Sequence, residues 1–236
     1  MKNYVSFDIE ATGLGTKIEK IIEIGAVKVI NGEITDKYST LVNPGRTLTP
    51  RIIELTGICD ADLKDAPTIE EVIGEFITFT EDLPVLGHHL LTDYAFIKQA
   101  AVNKGLSFEK EGVDTLKIAR ACLPLNESKR LGDLCRFYDI DMSAHRAYND
   151  ALATHRLFEC LKGDFLEKVP ELFIPAKLVF KVKKETPIRK GQKERLERLI
   201  DMYKVECPYD LNQMSQNEAS RYADVLIATY GRSQKK

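Results

Sequence analysis

The stretch Tyr4–Gly15, YVSFDIEATGLG, is an apolar, β-rich run that ends in two carboxylates, Asp8 and Glu10, followed by a glycine turn. Side chains of an extended strand alternate between faces, so Asp8 and Glu10 project to the same side. Two carboxylates side by side repel each other unless a cation lies between them, and a hard divalent metal with oxygen ligands is the natural partner. A solvent-facing strand edge would also tolerate the pair, but not beside Val5, Phe7 and Ile9 without compensation of the charge.

Working outward, Ile21–Ile30 reads as a second strand, Asn31-Gly32 as a hairpin turn and Lys37–Val42 as a third strand. An antiparallel meander therefore opens the fold, with Asp8 and Glu10 on a central strand. Helical periodicity follows over Thr68–Phe79, Asp93–Lys104, Asp114–Cys122, Arg130–Tyr138 and Ala147–Lys162, and Pro84–Gly87 fits a short buried strand ahead of Asp93. Meander first and strand-helix alternation later describe an α/β fold with a mixed sheet flanked by helices. After Lys162 the pattern is broken by Pro170, Pro175, Pro187 and the charged run Lys181–Glu185. The expected organisation is a main domain over 1–162, a connector over 163–188 and a small helical module over 189–236. In that module Lys190–Tyr203 and Ser215–Tyr230 carry apolar residues at helical spacing.

The 236 residues carry a net charge of -2 that hides an asymmetry. Residues 1–180 hold 21 Lys and Arg against 28 Asp and Glu, a net of -7, whereas residues 181–236 hold 13 against 8, a net of +5. An acidic main domain is a poor generic binder of nucleic acid, so attraction for phosphate has to come from metal ions, backbone donors or the basic tail. In that tail Pro187–Lys193 is equally a phosphate contact and a solvated helix face. Two carboxylates within the first ten residues exclude a signal-peptide apolar region, and no apolar run is long enough to span a bilayer. A cytoplasmic protein with no membrane partner is expected. The five cysteines are odd in number and scattered, which suggests buried thiols and neither a disulfide framework nor a zinc site.

Two further acidic residues stand out, Asp93 in GHHLLTDYAFIKQA and Asp150 in AHRAYNDALATHRLF, with His145 five residues before the latter. Taken alone, each Asp reads as well as an ordinary first-turn helix residue. His145 precedes a helix that delivers a carboxylate, in a loop able to approach the same place. His155, on the continuing helix, reads as structural, and the adjacent His88 and His89 would point oppositely on an extended segment. Glu23, although acidic and within a strand, is expected to meet a backbone or polar partner.

In order and spacing these residues resemble the DEDDh exonucleases, a family with a ribonuclease H-like fold that includes the proofreading epsilon subunit of bacterial replicative polymerases, ribonuclease T and oligoribonuclease. The resemblance covers about residues 3–162. It rests on Asp8-Ile9-Glu10-Ala11-Thr12-Gly13-Leu14, on Ile21–Val27, on Leu55-Thr56-Gly57-Ile58 after Thr49-Pro50, on Asp93, on Asp114-Thr115-Leu116 and on His145 with Asp150. It implies two divalent ions, Mg²⁺ or Mn²⁺, on Asp8, Glu10, Asp93 and Asp150, and a general base at His145. It further implies backbone contact with the terminal nucleotide around Thr12 and Gly13, packing of Leu14 on its base, and a substrate contact at His89. Many relatives carry Asn at the position of His89 and an aromatic at that of Thr92. The activity so implied is release of nucleoside 5′-monophosphates from single-stranded 3′ ends, DNA favoured over RNA, in proofreading or repair with a polymerase subunit as partner. The rival readings are an exoribonuclease and a non-catalytic nucleic-acid or polymerase-binding module.

Overall fold

In the computed structural model, which describes residues 1–16, 18–125, 128–143 and 145–231, the first strand divides its side chains between two layers. Residues 232–236, the end of the expected C-terminal module, lie outside the described residues. Strand β1 (Tyr4–Ala11) sends Val5, Phe7 and Ile9 into one core. There they meet Ile73 and Phe76 of α3 (Ile69–Thr80) and Leu90, Tyr94 and Ile97 of α4 (Leu90–Lys104). Its even-numbered residues face α7 (Ala147–Phe165). Tyr4 packs with Leu157, Phe158 and Leu161, and Ser6 Oγ donates to the Ala151 carbonyl at 2.7 Å. Asp8 and Glu10 follow on this second face, where the apolar layer gives way to acid.

The sheet has six strands in the order β3-β2-β1-β4-β5-β6. Strands β2 (Ile21–Ile30) and β3 (Glu33–Leu41) form the antiparallel meander with β1. Strands β4 (Val85–Gly87) and β5 (Glu111–Asp114) continue it in parallel with β1, and β6 (Ala176–Lys177) closes it antiparallel. The β2–β3 hairpin turns at Asn31 and Gly32, with φ of 56° and 88°, the backbone pair that a two-residue turn of this hand requires. Helix α3 starts as its sequence suggests, with the Thr68 N–H donating to Glu71 Oε2 at 2.7 Å.

Two short helices that the apolar pattern does not announce, α1 (Pro50–Thr56) and α2 (Asp60–Leu63), pack Ile52 and Leu63 with Ile22, Leu48 and Ile58. They span only two turns or fewer, too short for periodicity to register, although Thr49-Pro50 supplies the usual N-cap and first-turn proline. Helix α5 (Thr115–Cys122) begins where Asp114 Oδ1 accepts from the Leu116 N–H, and α6 (Leu131–Phe137) follows. Helix α7 continues to Phe165, and beyond it come a 3₁₀ turn (Pro170–Phe173) and β6.

The chain forms two compact units, residues 1–44 with 48–182 and residues 45–47 with 183–236. The second unit packs α8 (Lys190–Tyr203) on α9 (Gln216–Tyr230) around Leu196, Leu199, Met214, Ala219, Ala223 and Leu226. Helix α9 opens with the reciprocal bonds its sequence suggests, Glu218 N–H to Ser215 Oγ and Ser215 N–H to Glu218 Oε2. Among the described residues no helix is long and apolar enough to cross a membrane. All five cysteines are unbridged thiols, but only Cys135 is fully buried; the other four are half-buried, a correction to the expectation of buried thiols throughout.

One residue of β2 decides how close α7 comes to the sheet. Gly25 pairs with Asp8 in the antiparallel register and so shares its face. A Cβ built there would lie 2.0 Å from the Tyr148 nitrogen and 2.2 Å from the Ala147 carbonyl carbon, both backbone atoms that no rotamer change can move. Gly25→Ala is therefore expected to lower unfolding free energy in urea by about 3 kcal/mol, at the upper end for overpacking. A loss under about 1 kcal/mol would mean that α7 shifts freely.

Candidate active site

Four carboxylates from three elements lie near enough to act on one another's charge. Asp8 and Glu10 come from the second face of β1, Asp93 from the first turn of α4 and Asp150 from the first turn of α7. The helix-borne pair is buried, Asp93 9% and Asp150 7% exposed. A first-turn position suits a buried carboxylate, because the exposed N–H groups and dipole of the helix start favour negative charge.

The site is densest around Asp150. Side-chain ligand atoms of Glu10, His145 and Asp150 lie within 4.8 Å of one another. Asp150 Oδ2 accepts from the His145 N–H at 3.1 Å, which turns the loop back onto its own helix. His145 itself takes a left-handed backbone, φ 64°, and is exposed. Asp150 Oδ1, by contrast, is buried and has no hydrogen-bond partner among the described residues. A buried oxygen of this kind is costly unless something else satisfies it.

Crowding shows in the acidities. Burial first, then the charges of Asp93, Asp150, Glu10 and Glu23, holds the Asp8 carboxyl well above the ordinary range. Asp93 is raised in the same way, by burial and then by Glu10, Asp114 and Asp150. Burial, with Asp150 and Glu23 nearby, pushes Glu10 up to about 7, partly offset by Arg146. Burial pushes Asp150 to about 6, against the opposing bond from His145. A set of oxygen donors that resist ionising together, one with an unsatisfied buried atom, is the donor chemistry a hard divalent cation takes.

The positions expected to meet substrate lie at the end of β1 and at the start of α4. Thr12 closes the loop after β1: its N–H donates to the Lys20 carbonyl, and its hydroxyl donates to Glu19 Oε2 while accepting from the Lys20 N–H. Gly13 lies so close to Glu19 that a Cβ would fall 2.8 Å from the Glu19 Cδ. Leu14 is 91% exposed. His89 is exposed and left-handed at φ 69°, donates its N–H to Asp114 Oδ1 and sets its ring beside the Thr92 hydroxyl. The other histidines are structural. His88 is held between the Thr115 hydroxyl and the Lys129 carbonyl, and His155 is buried with Nδ1 at 2.8 Å from the Tyr4 hydroxyl. Glu23 meets Arg146 and the Ala147 N–H, as a polar-partner reading expects. Arg146 is the residue the motifs do not flag; Gly25 lies inside the Ile21–Val27 stretch, but its role as the point of closest approach to α7 is visible only in the structure.

A family model described as exonuclease, that of the RNase T group, matches residues 5–158, which include all four carboxylates and His145. The chain belongs to this exonuclease family. Its mixed sheet flanked by helices is the ribonuclease H-like fold of the family's solved members. Among relatives, it is 43% identical over 167 residues to DNA polymerase III PolC-type of Halalkalibacterium halodurans, covering 70% of this chain and 12% of that protein. It is 39% identical over 157 residues to the DNA polymerase III subunit epsilon of Aquifex aeolicus, covering 66% of this chain and 78% of that one. The chain thus spans only about an eighth of the PolC-type relative it matches. Among solved structures, Exonuclease X in complex with 5′ overhanging duplex DNA superposes with a TM-score of 0.55 at 25% identity, over 68% of this chain and 92% of that one.

The raised carboxyls set the pH behaviour of the metal-free protein. A carboxyl whose folded pKa exceeds its unfolded value stabilises the fold most below the unfolded value, and this contribution is lost as pH rises through the folded one. For Glu10 and Asp150 that window runs from the ordinary values of 4.5 and 3.8 up to about 7 and about 6. Thermal melts in EDTA are expected to show a Tm several degrees lower at about pH 8 than at about pH 5. Mg²⁺ or Mn²⁺ should restore it at the higher pH, by about 2.7 kcal/mol at a hundredfold excess over Kd. A Tm indifferent to metal at the higher pH would refute the cation site.

Proposed function

We propose that this chain is a metal-dependent 3′-5′ exonuclease that removes nucleoside 5′-monophosphates one at a time from single-stranded DNA ends, in proofreading or repair. The observation that carries this reading is the grouping of Glu10, His145 and Asp150, with Asp8 and Asp93 near enough to have their pKa values raised with them and a buried Asp150 oxygen that no group among the described residues satisfies. Membership of the exonuclease family and similarity to a polymerase III epsilon subunit and a PolC-type polymerase support DNA as the substrate and a polymerase as the partner. Residues 1–162 carry the chemistry in this reading, the connector is 163–188 and the helices of 189–236 are accessory; the enzyme works in the cytoplasm.

Asp8, Glu10, Asp93 and Asp150 would hold two divalent ions, Mg²⁺ or Mn²⁺. When bound, such ions acidify water and offset charge on a phosphodiester that this acidic domain would otherwise repel. His145, exposed and beside Asp150, takes the proton of the attacking water, a step within reach of an imidazole nitrogen placed among the carboxylates. The Thr12 N–H is engaged with the Lys20 carbonyl, so the Gly13 backbone is the donor offered to the terminal nucleotide. Leu14 presents an exposed apolar face to its base, and His89, at the start of the helix that carries Asp93, presents a polar ring to the strand.

The test is degradation of matched single-stranded DNA and RNA, labelled at either end, with Mg²⁺, Mn²⁺ or EDTA. Stepwise, metal-dependent shortening from the 3′ end is expected, faster on DNA. Asp8→Ala should abolish it, and His145→Ala should reduce kcat by about 10²- to 10⁴-fold, the usual worth of a general base. Equal or faster cleavage of RNA would replace the DNA assignment. Folded protein inert on both polymers would leave the nucleic-acid-binding alternative.

A further inference from the structure

Glu23 lies outside the carboxylate set, yet the turn that carries His145 is built on it. It is 1% exposed on β2, directly across from Glu10 in the antiparallel register. Like charges facing each other across a strand pair are destabilising, so sheet stability does not account for a glutamate here. Its carboxylate is instead spent on the start of α7. Arg146 grips it from two nitrogens, Nε at 3.1 Å and Nη2 at 2.9 Å from Oε1, with Nε also 3.2 Å from Oε2. The Ala147 N–H donates to Oε2 at 3.0 Å. Helix α7 has no side-chain cap from its own N-cap residue, Arg146, so a strand residue serves its first amide.

His145 is the residue immediately before this anchor, in a left-handed conformation that a non-glycine residue adopts only when its surroundings hold it there. Its N–H is tied to Asp150 on one side, and its neighbours Arg146 and Ala147 are tied to Glu23 on the other. Gly25, two residues along the same strand face, brings the backbone of α7 against the sheet just there. We propose that Glu23 is a positioning residue of the exonuclease: by clamping Arg146 and Ala147 from the strand beside β1, it sets His145 and Asp150 against Glu10. This rests on the reading of His145 and Asp150 as parts of the nuclease site.

The variant to make is Glu23→Gln, which keeps size and loses charge, with Arg146→Lys as a second that keeps charge and gives up the two-pronged grip. Amide hydrogen exchange of the metal-free protein reads the clamp without reference to activity. His145 and Ala147 should exchange at least about tenfold faster in Glu23→Gln while the β1 and β4 amides stay protected, and Arg146→Lys should do the same more weakly. In the assay kcat should fall by about 10- to 100-fold with KM for the oligonucleotide little changed. Glu23→Gln should cost nothing further in a His145→Ala background, because a residue that acts through another adds nothing once that other is gone. Unchanged exchange at His145 in both variants, or rate losses that multiply in the double variant, would overturn the proposal. Wild-type protein without nuclease activity but with the exchange response would instead remove the functional reading and leave the clamp as architecture.

Discussion

Mutual repulsion among carboxylates held out of water is the constraint around which the first unit is arranged. A sheet face that is apolar at Tyr4 becomes acidic by Asp8 and Glu10, and two helices deliver Asp93 and Asp150 to the same spot. Each device nearby reduces the cost: the starts of α4 and α7 offer favourable dipoles, the His145 amide binds one Asp150 oxygen, and Arg146 offsets part of the charge on Glu10. What remains uncompensated among the described residues, the buried Asp150 Oδ1 and the raised acidities, is chemistry available to a ligand of opposite charge.

Rigid packing makes that arrangement tolerable. The odd-numbered residues of β1 are locked against α3 and α4, with Phe7 edge-on to Phe76 at 5.6 Å, so the strand cannot rotate to relieve the acidic face. Helix α7 is fixed lengthwise by Ser6 to Ala151 and Tyr4 to His155, and in depth by Gly25.

Much of this was legible in the sequence. Alternation in Tyr4–Ile9, the Asn31-Gly32 turn and the long helical periods give the mixed sheet and its helices, because each is a local signal with a local cause. Asp8 and Glu10 could be put on one face from strand geometry alone, whereas Asp93 and Asp150 looked like ordinary first-turn acids until family spacing linked them. The short α1 and α2, the two-residue β6 and the closeness of α7 to Gly25 were not readable. The first three are too brief for a period, and the last depends on two segments more than a hundred residues apart. Thr12 was legible as part of a turn, but that its amide is taken by Lys20 depends on how the loop closes.

The hydrogen bond from Ser6 to Ala151 spans 145 residues of chain, and the acidic centre sits one pleat further along the same strand. Nothing local can assemble it. The loop that must close is among the longest the domain contains, so docking of α7 carries a large loop-closure entropy that only its finished packing repays. A partly folded or truncated chain lacking α7 would carry Asp8 and Glu10 on an exposed strand without Asp150 or His145. On the proposed reading of those residues, such a chain would be harmless to any nucleic acid it met during synthesis, and cutting ability would arrive only with the finished fold.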